Sequence, residues 1–261
     1  GNANGEIYER ISIPTETPEI TVPKMIEYFK EKDIQALGIG CFGPIDLNRK
    51  SETYGYITTT PKLAWKNYNI VGAFADALDI PVGFDTDVNG SALGEATWGI
   101  TKGLDNSIYI TIGTGVGMGI ISNGKLLHGM LHPEGGHVLL TRHPKDTYGG
   151  KCPYHSNCWG KKGIELADKK EVWELEAYNI GQALVDCIML LSPQRIVLGG
   201  GVMHQEHMMP LVREEVKKQL NGYLVTKELE DLDSYIVLPS LNDNQGIMGA
   251  LKLAVDELAM Q

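Results

Sequence analysis

The sequence predicts an α/β fold. Apolar strand-like runs alternate with helix-like stretches along the chain, as in Ile34–Cys41, Ile70–Leu78, Ile80–Asp85 and Val88–Glu95. One of those strands stops at two aspartates, Asp85 and Asp87, and a helix begins at once. An acid at the carboxyl end of a strand stands where open α/β sheets bind ligands. The third observation is a strand, a Gly/Thr turn and a second strand, running from Tyr109 through Gly113-Thr114-Gly115-Val116-Gly117 to Gly119. Such a turn lets backbone N–H groups approach phosphate oxygens closely.

Composition narrows the class. The chain has 261 residues, 43% hydrophobic and 21% charged, which suits one large domain or two modest ones. A net charge of −10 opposes a nucleic-acid surface, which needs clustered Lys and Arg, so no nucleic-acid partner is expected. No apolar run is long enough to span a membrane, and no secretory signal opens the sequence. The four cysteines do not read as a disulfide framework, because two of them sit in a metal-like cluster. A reducing, cytoplasmic setting is expected.

Taken in order, the elements are these. Asn4-Gly5 reads as a hairpin turn leading into a strand over Glu6–Ile13, whose partner strand is expected to precede the first residue. Thr21–Lys32 reads as a helix with Pro23 in its first turn and an apolar stripe of Met25, Ile26 and Phe29. Ile34–Cys41 reads as a buried strand running into Gly43-Pro44-Ile45-Asp46. A second tight turn falls at Asn123-Gly124. Glu171–Leu191 is the longest helix, Arg195–Gly199 a strand closing on Gly199-Gly200-Gly201, and His207–Leu220 a helix. Tyr235–Leu238 is a last strand and Gln245–Met260 a last helix. The domain boundary is set at the Asp87 helix, giving a smaller lobe over 1–86 and a larger one over 87–261. The C-terminal helix is allowed to pack back on the smaller lobe.

Each constellation has a plain alternative. For the two aspartates it is that one serves only as a helix N-cap, since Asp is favoured there. Against that, a carboxylate within reach of a hydroxyl can take its proton as the oxygen attacks phosphorus. The Gly113–Gly117 turn taken alone is a flexible hairpin, and Gly199–Gly201 taken alone a strand-to-helix turn. Together with an acid they are equipment for phosphoryl transfer. Cys152, His155 and Cys158 form a C-x2-H-x2-C group, and His137 adds a fourth donor. Four N/S donors suit a closed, structural zinc site, the alternative being a chance cluster of loop residues. Cys41 and Cys187 lie in apolar segments and read as core.

These motifs resemble the ROK family of repressors and sugar kinases, in its fructokinase-like form, over nearly the whole chain. The resemblance rests on Phe42-Gly43-Pro44-Ile45-Asp46, Asp85-Thr86-Asp87-Val88-Asn89, Thr111–Gly117, Val197–Met203 and His132-Pro133-Glu134 through His137. It implies the two-lobed ribonuclease H-like fold shared with actin and hexokinase. It implies Asp87 as catalytic base, with Thr86, Asp87, Glu134 and His137 at the sugar. Nucleotide contacts would come from Gly113, Thr114, Gly115, Gly117, Gly199, Gly200, Gly201, Val202 and Met203. Zinc would be held by His137, Cys152, His155 and Cys158, in a loop over 132–159. ATP with Mg²⁺, a small hexose substrate and a homodimer are implied as well. Fructose is the expected sugar. Glucose, mannose or N-acetylmannosamine is the alternative within the class, and a non-catalytic sugar sensor or regulator the alternative outside it. The family's Gly-Gly-Thr phosphate loop is not found. After Cys158 the family's acidic sugar contact and short helix are also not found, because Trp159 runs into Gly160-Lys161-Lys162-Gly163. Intervening residues are expected at that join.

Overall fold

A parallel pair of strands organises the first half of the molecule. The structure is a computed structural model, and it describes residues 1–146 and 170–260. The chain divides into two compact units, one formed by Gly1–Lys102, Leu126–Pro133 and Ser240–Gln261, the other by Gly103–Lys125 and Glu134–Pro239. The first unit therefore takes in the last helix, as allowed above, and also the helix after Thr86, beyond the limit set at residue 86.

In the first unit, α1 (Pro18–Lys30) precedes β1 (Leu37–Cys41). Thr17 is extended at the N-cap and Pro18 takes the first helical position, where its missing N–H costs nothing. The helix thus starts before the expected Thr21, and Pro23 falls inside it rather than in its first turn. A short antiparallel pair follows, β2 (Tyr56–Ile57) with β3 (Tyr68–Asn69). The next helix, α2 (Ile70–Leu78), is capped by the Asn69 side chain, which accepts from Gly72 N at 2.8 Å. β4 (Val82–Thr86) pairs with β1 in parallel, from Leu37↔Val82 to Cys41↔Thr86. All five β4 residues are buried, as befits a parallel strand covered on both faces. Val82 and Phe84 join a core of Val22, Ile45, Ile57, Trp65 and Phe74.

Two helices of this unit cross at glycine. They are α3 (Asp87–Trp98) and α8 (Gln245–Leu258). A Cβ on Gly249 would lie 1.7 Å from the Gly90 carbonyl oxygen, so only glycine lets the backbones meet this closely. At the far end of α3 the buried Glu95 carboxylate accepts from Ser240 N and Oγ, both at 2.8 Å, and from Ile100 N at 2.9 Å. It fastens the chain on either side of the passages to the second unit. The opening turn forms as expected, with Gly5 N donating to Asn2 O at 3.0 Å. Residues 6–13 do not form the expected strand. A strand exists by its ladder, and among the described residues no strand pairs with this segment.

The second unit is built on a five-stranded sheet of order β7-β6-β5-β8-β9. β5 (Ser107–Ile112) and β6 (Val116–Ser122) form the antiparallel hairpin, closing at Ile112↔Val116. β7 (Lys125–Leu126) follows Asn123-Gly124, whose φ values of 51° and 71° suit a tight hairpin turn. β8 (Arg195–Gly199) runs parallel to β5, and β9 (Ile236–Val237) parallel to β8. α4 (Lys170–Leu191) and α5 (Met208–Leu220) pack on each other, and the short α6 (Lys227–Glu230) and α7 (Leu232–Tyr235) lead into β9. Ile108, Ile110, Ile180, Leu184, Ile196, Leu198 and Met208 are fully buried here. Cys41 and Cys187 are both core residues, and burial pushes each thiol up to about 12. Among the described residues no helix is long and apolar enough to cross a membrane.

Candidate active site

The β4–α3 junction forms because an all-buried strand ends at a good cap. Thr86 is that cap: its Oγ1 accepts from Asn89 N at 3.1 Å. Neither aspartate caps the helix, so both carboxylates serve elsewhere. Thr86 itself is buried, 3% exposed, with its hydroxyl at the helix start. Asp87 is the first helical residue and reaches solvent, accepting from Val88 N at 2.9 Å. Neighbouring atoms strip much of its hydration, and this desolvation raises its carboxyl above the usual aspartate value. The Lys62 ammonium pulls the other way. That ammonium rests 3.9 Å from the centroid of the Phe42 ring.

Asp85 is buried and fully engaged. Its Oδ1 accepts from Thr86 N and from Asn89 Nδ2, both at 2.7 Å. Its Oδ2 lies 2.8 Å from His128 Nε2. Four residues on, His132 is buried and its Nε2 accepts from Ile45 N at 3.1 Å. The hydrogen bond to Asp85 raises the His128 ring above the ordinary 6.5, and burial lowers the His132 ring below it. None of these pairings stands out in the sequence. His128 and Asp85 are 43 residues apart, and His132 and Ile45 are 87 apart.

In the second unit the two glycine turns abut. The β5–β6 turn closes through Gly113 N donating to Gly115 O at 2.9 Å, leaving Thr114 and Gly115 exposed. β5 and β8 pair through Thr111↔Gly199, which brings the Gly199–Gly201 turn alongside. A Cβ on Gly200 would meet Ile112 O at 2.4 Å, and its φ is +88°, so this position requires glycine. A Cβ on Gly113 would come no nearer than 4.0 Å, to Gly201 N, and one on Gly115 would meet nothing within 4 Å. Gly117 is half-buried in β6. Val202 and Met203 are buried in a single turn of 3₁₀ helix over Gly201–His204. Here are open backbone on one side and packed apolar support on the other, which is what a phosphate-and-nucleoside surface needs.

Glu134 and His137 flank another 3₁₀ turn, Gly135–His137, in which His137 N donates to Glu134 O at 2.9 Å. The turn lies flat on β6, where a Cβ on Gly136 would fall 1.8 Å from Val116 O. Both side chains are exposed. Cys152, His155 and Cys158, and the join at Trp159-Gly160, lie outside the described residues. Among the described residues no group of three or more His, Cys, Asp or Glu is placed to hold a metal.

A two-unit α/β molecule carrying an acid at a strand end and paired glycine turns is of the actin/hexokinase type. The glucokinase of Streptomyces griseus, solved with glucose and AMPPNP, shares the fold with a TM-score of 0.77 at 23% identity, over 98% of this chain and 94% of that one. The sequence matches the profile of the ROK family over residues 1–163 and 160–257, and the chain belongs to that family. The two matched stretches overlap at residues 160–163. A Bacillus subtilis relative is 48% identical over 97% of this chain and 90% of its own length. The fructokinase of Pediococcus pentosaceus is 42% identical over 97% of this chain and 92% of its own length.

Proposed function

We propose that the chain is an ATP-dependent hexose kinase that converts fructose and ATP to fructose 6-phosphate and ADP. The observation that carries the chemistry is Asp87, exposed at the head of α3, with its carboxyl raised by desolvation and Lys62 beside it. The choice of fructose is supported by relatives named fructokinase at 41–42% identity over most of the chain.

Asp87 accepts the proton of the C6 hydroxyl as that oxygen attacks the γ-phosphorus. The bond to the β–γ bridging oxygen breaks, and ADP leaves with its electrons. Gly113, Thr114, Gly115 and Gly117 hold the phosphates through backbone N–H groups. Gly199, Gly200, Gly201, Val202 and Met203 carry the nucleoside side. Thr86 sets the start of α3 and so the direction of the base, and Glu134 and His137 bind sugar hydroxyls. Magnesium, bound with the nucleotide, supplies charge neutralisation at the transferring phosphoryl group. The donor set His137, Cys152, His155 and Cys158 suits zinc by its chemistry, two thiolates and two imidazoles with no open position. Zinc would there supply rigidity to the segment carrying Glu134. The enzyme works as a homodimer in the cytoplasm.

The test is ADP release, coupled to a dehydrogenase, over a panel of fructose, glucose, mannose and N-acetylmannosamine. Fructose is expected to give the highest kcat/KM. A higher value for another hexose reassigns the substrate, and release with none of them contradicts a kinase.

A further inference from the structure

We propose that residues 126–133 act as a strap pinned by two histidines, His128 and His132, across the carboxyl ends of β1 and β4, and that the strap positions the sugar site. The proposal rests on the kinase reading above. Its first pin is the 2.8 Å contact of His128 Nε2 with Asp85 Oδ2, at the end of β4. Its second is the 3.1 Å hydrogen bond from Ile45 N to His132 Nε2, in the loop that follows β1. The strap leaves the β5–β6–β7 hairpin at one end and leads directly into Pro133-Glu134 at the other. It therefore ties the β4–α3 junction, which carries Asp87, to the start of the segment that carries Glu134.

The two pins need opposite protonation states. Nε2 of His132 accepts a hydrogen bond, so that ring must be neutral with its proton on Nδ1, which lies 3.5 Å from Pro133 O. Protonating it would set two N–H donors against each other at Ile45. His128 donates to a buried carboxylate, and the bond is strongest when the ring is charged. Its side chain is 40% exposed, so protons reach it from solvent. Charged and polar groups act on both rings. Asp85 acts on both, and His128 also acts on His132. Asn89, from α3, approaches His128 Nε2 at 3.5 Å without charge. Tyr54 is the further titratable group near Asp85.

The two displacements run in opposite directions, as the pins require. Asp85 holds the His128 ring above the ordinary 6.5, which favours the charged form that its pin uses. Burial holds the His132 ring below 6.5, which favours the neutral form that its pin uses. Both pins are complete only in the window between. Below it His132 gains a proton and the Ile45 bond is lost. Above it His128 loses its charge and the Asp85 bond weakens.

The experiment measures the KM for fructose against pH at saturating ATP, beside the imidazole titrations of the same protein by NMR. In the parent, KM should be lowest in the window and rise about three- to tenfold on each side, the worth of one hydrogen bond per pin, while kcat changes less. His132→Gln keeps an acceptor near the Nε2 position but cannot titrate, so it should remove the acid-side rise alone. His128→Gln keeps an uncharged donor, so it should remove the alkaline-side rise and hold KM at the parent's alkaline value. Rises that persist in both variants overturn the strap, as does a flat parent profile in an enzyme that phosphorylates fructose. A protein with no fructose turnover overturns the function proposed above. The titrations then decide the strap alone: values straddling 6.5 uphold it, and two values on one side of 6.5 overturn it.

Discussion

Asp87 is exposed to solvent, and desolvation by neighbouring atoms raises its carboxyl above the usual aspartate value. That shift makes its carboxylate a better proton acceptor than a free aspartate. Asp87→Asn keeps the shape and removes the base, so kcat should fall ~10²–10⁴-fold with fructose binding retained. Titration calorimetry and steady-state kinetics check this together, and near-parental turnover would contradict the role. The same desolvation fixes the sign of two pH effects. Activity needs the ionised carboxylate, so kcat/KM should fall with acid through a pKa above the ordinary 3.8 of aspartate. A carboxyl whose folded pKa is raised contributes stability at low pH that is lost as pH rises through that value. Asp87→Asn should therefore melt no lower than the parent at neutral pH. A variant that melts clearly lower would show that the carboxylate is structural.

At the scale of elements, local patterns were legible and pairings across the chain were not. The apolar run ending at Asp85 and Asp87 did become a buried parallel strand running into a helix, and the Gly/Thr turn did become the β5–β6 hairpin. The plain alternative of an aspartate N-cap is set aside by geometry, since Thr86 takes that role, a residue type as favoured there as Asp. Residues 6–13 alternate like a strand, but alternation does not provide a partner for the ladder. The Asp85–His128 and Ile45–His132 contacts join residues 43 and 87 positions apart, a pairing that no local motif states and the fold makes. The glycine turns yield a paired prediction. Gly200 has φ +88° and no room for a Cβ, so Gly200→Ala should cost about 1–3 kcal/mol and lower Tm. Gly115 has open space, so Gly115→Ala should leave stability within about 0.5 kcal/mol yet raise the KM for ATP. If Gly115→Ala left that KM unchanged, the turn would not be a phosphate cradle.

Over the whole molecule, the chain passes between its two units at 102/103, 125/126, 133/134 and 239/240. Glu95 fastens the first and last of these passages from within its own unit, and the histidine-bearing strap spans the interval between the other two. A single boundary at residue 86 does not follow four passages: the return of helix α8 is allowed for, but α3 and residues 126–133 also belong to the first unit. Zinc belongs to this scale, since it would brace the segment after the third passage. Purified protein should contain one zinc per chain, and chelation should lower both Tm and fructose turnover. Metal-free protein with full activity would remove zinc from the account.

The central claim is that this chain moves a phosphoryl group from ATP to fructose. Phosphorus NMR of the chain incubated with ATP, Mg²⁺ and fructose tests it most directly. The account predicts a sugar 6-phosphate resonance growing in step with ADP, with no free phosphate. Fructose bound without any change in ATP, or ATP split to free phosphate, would contradict it.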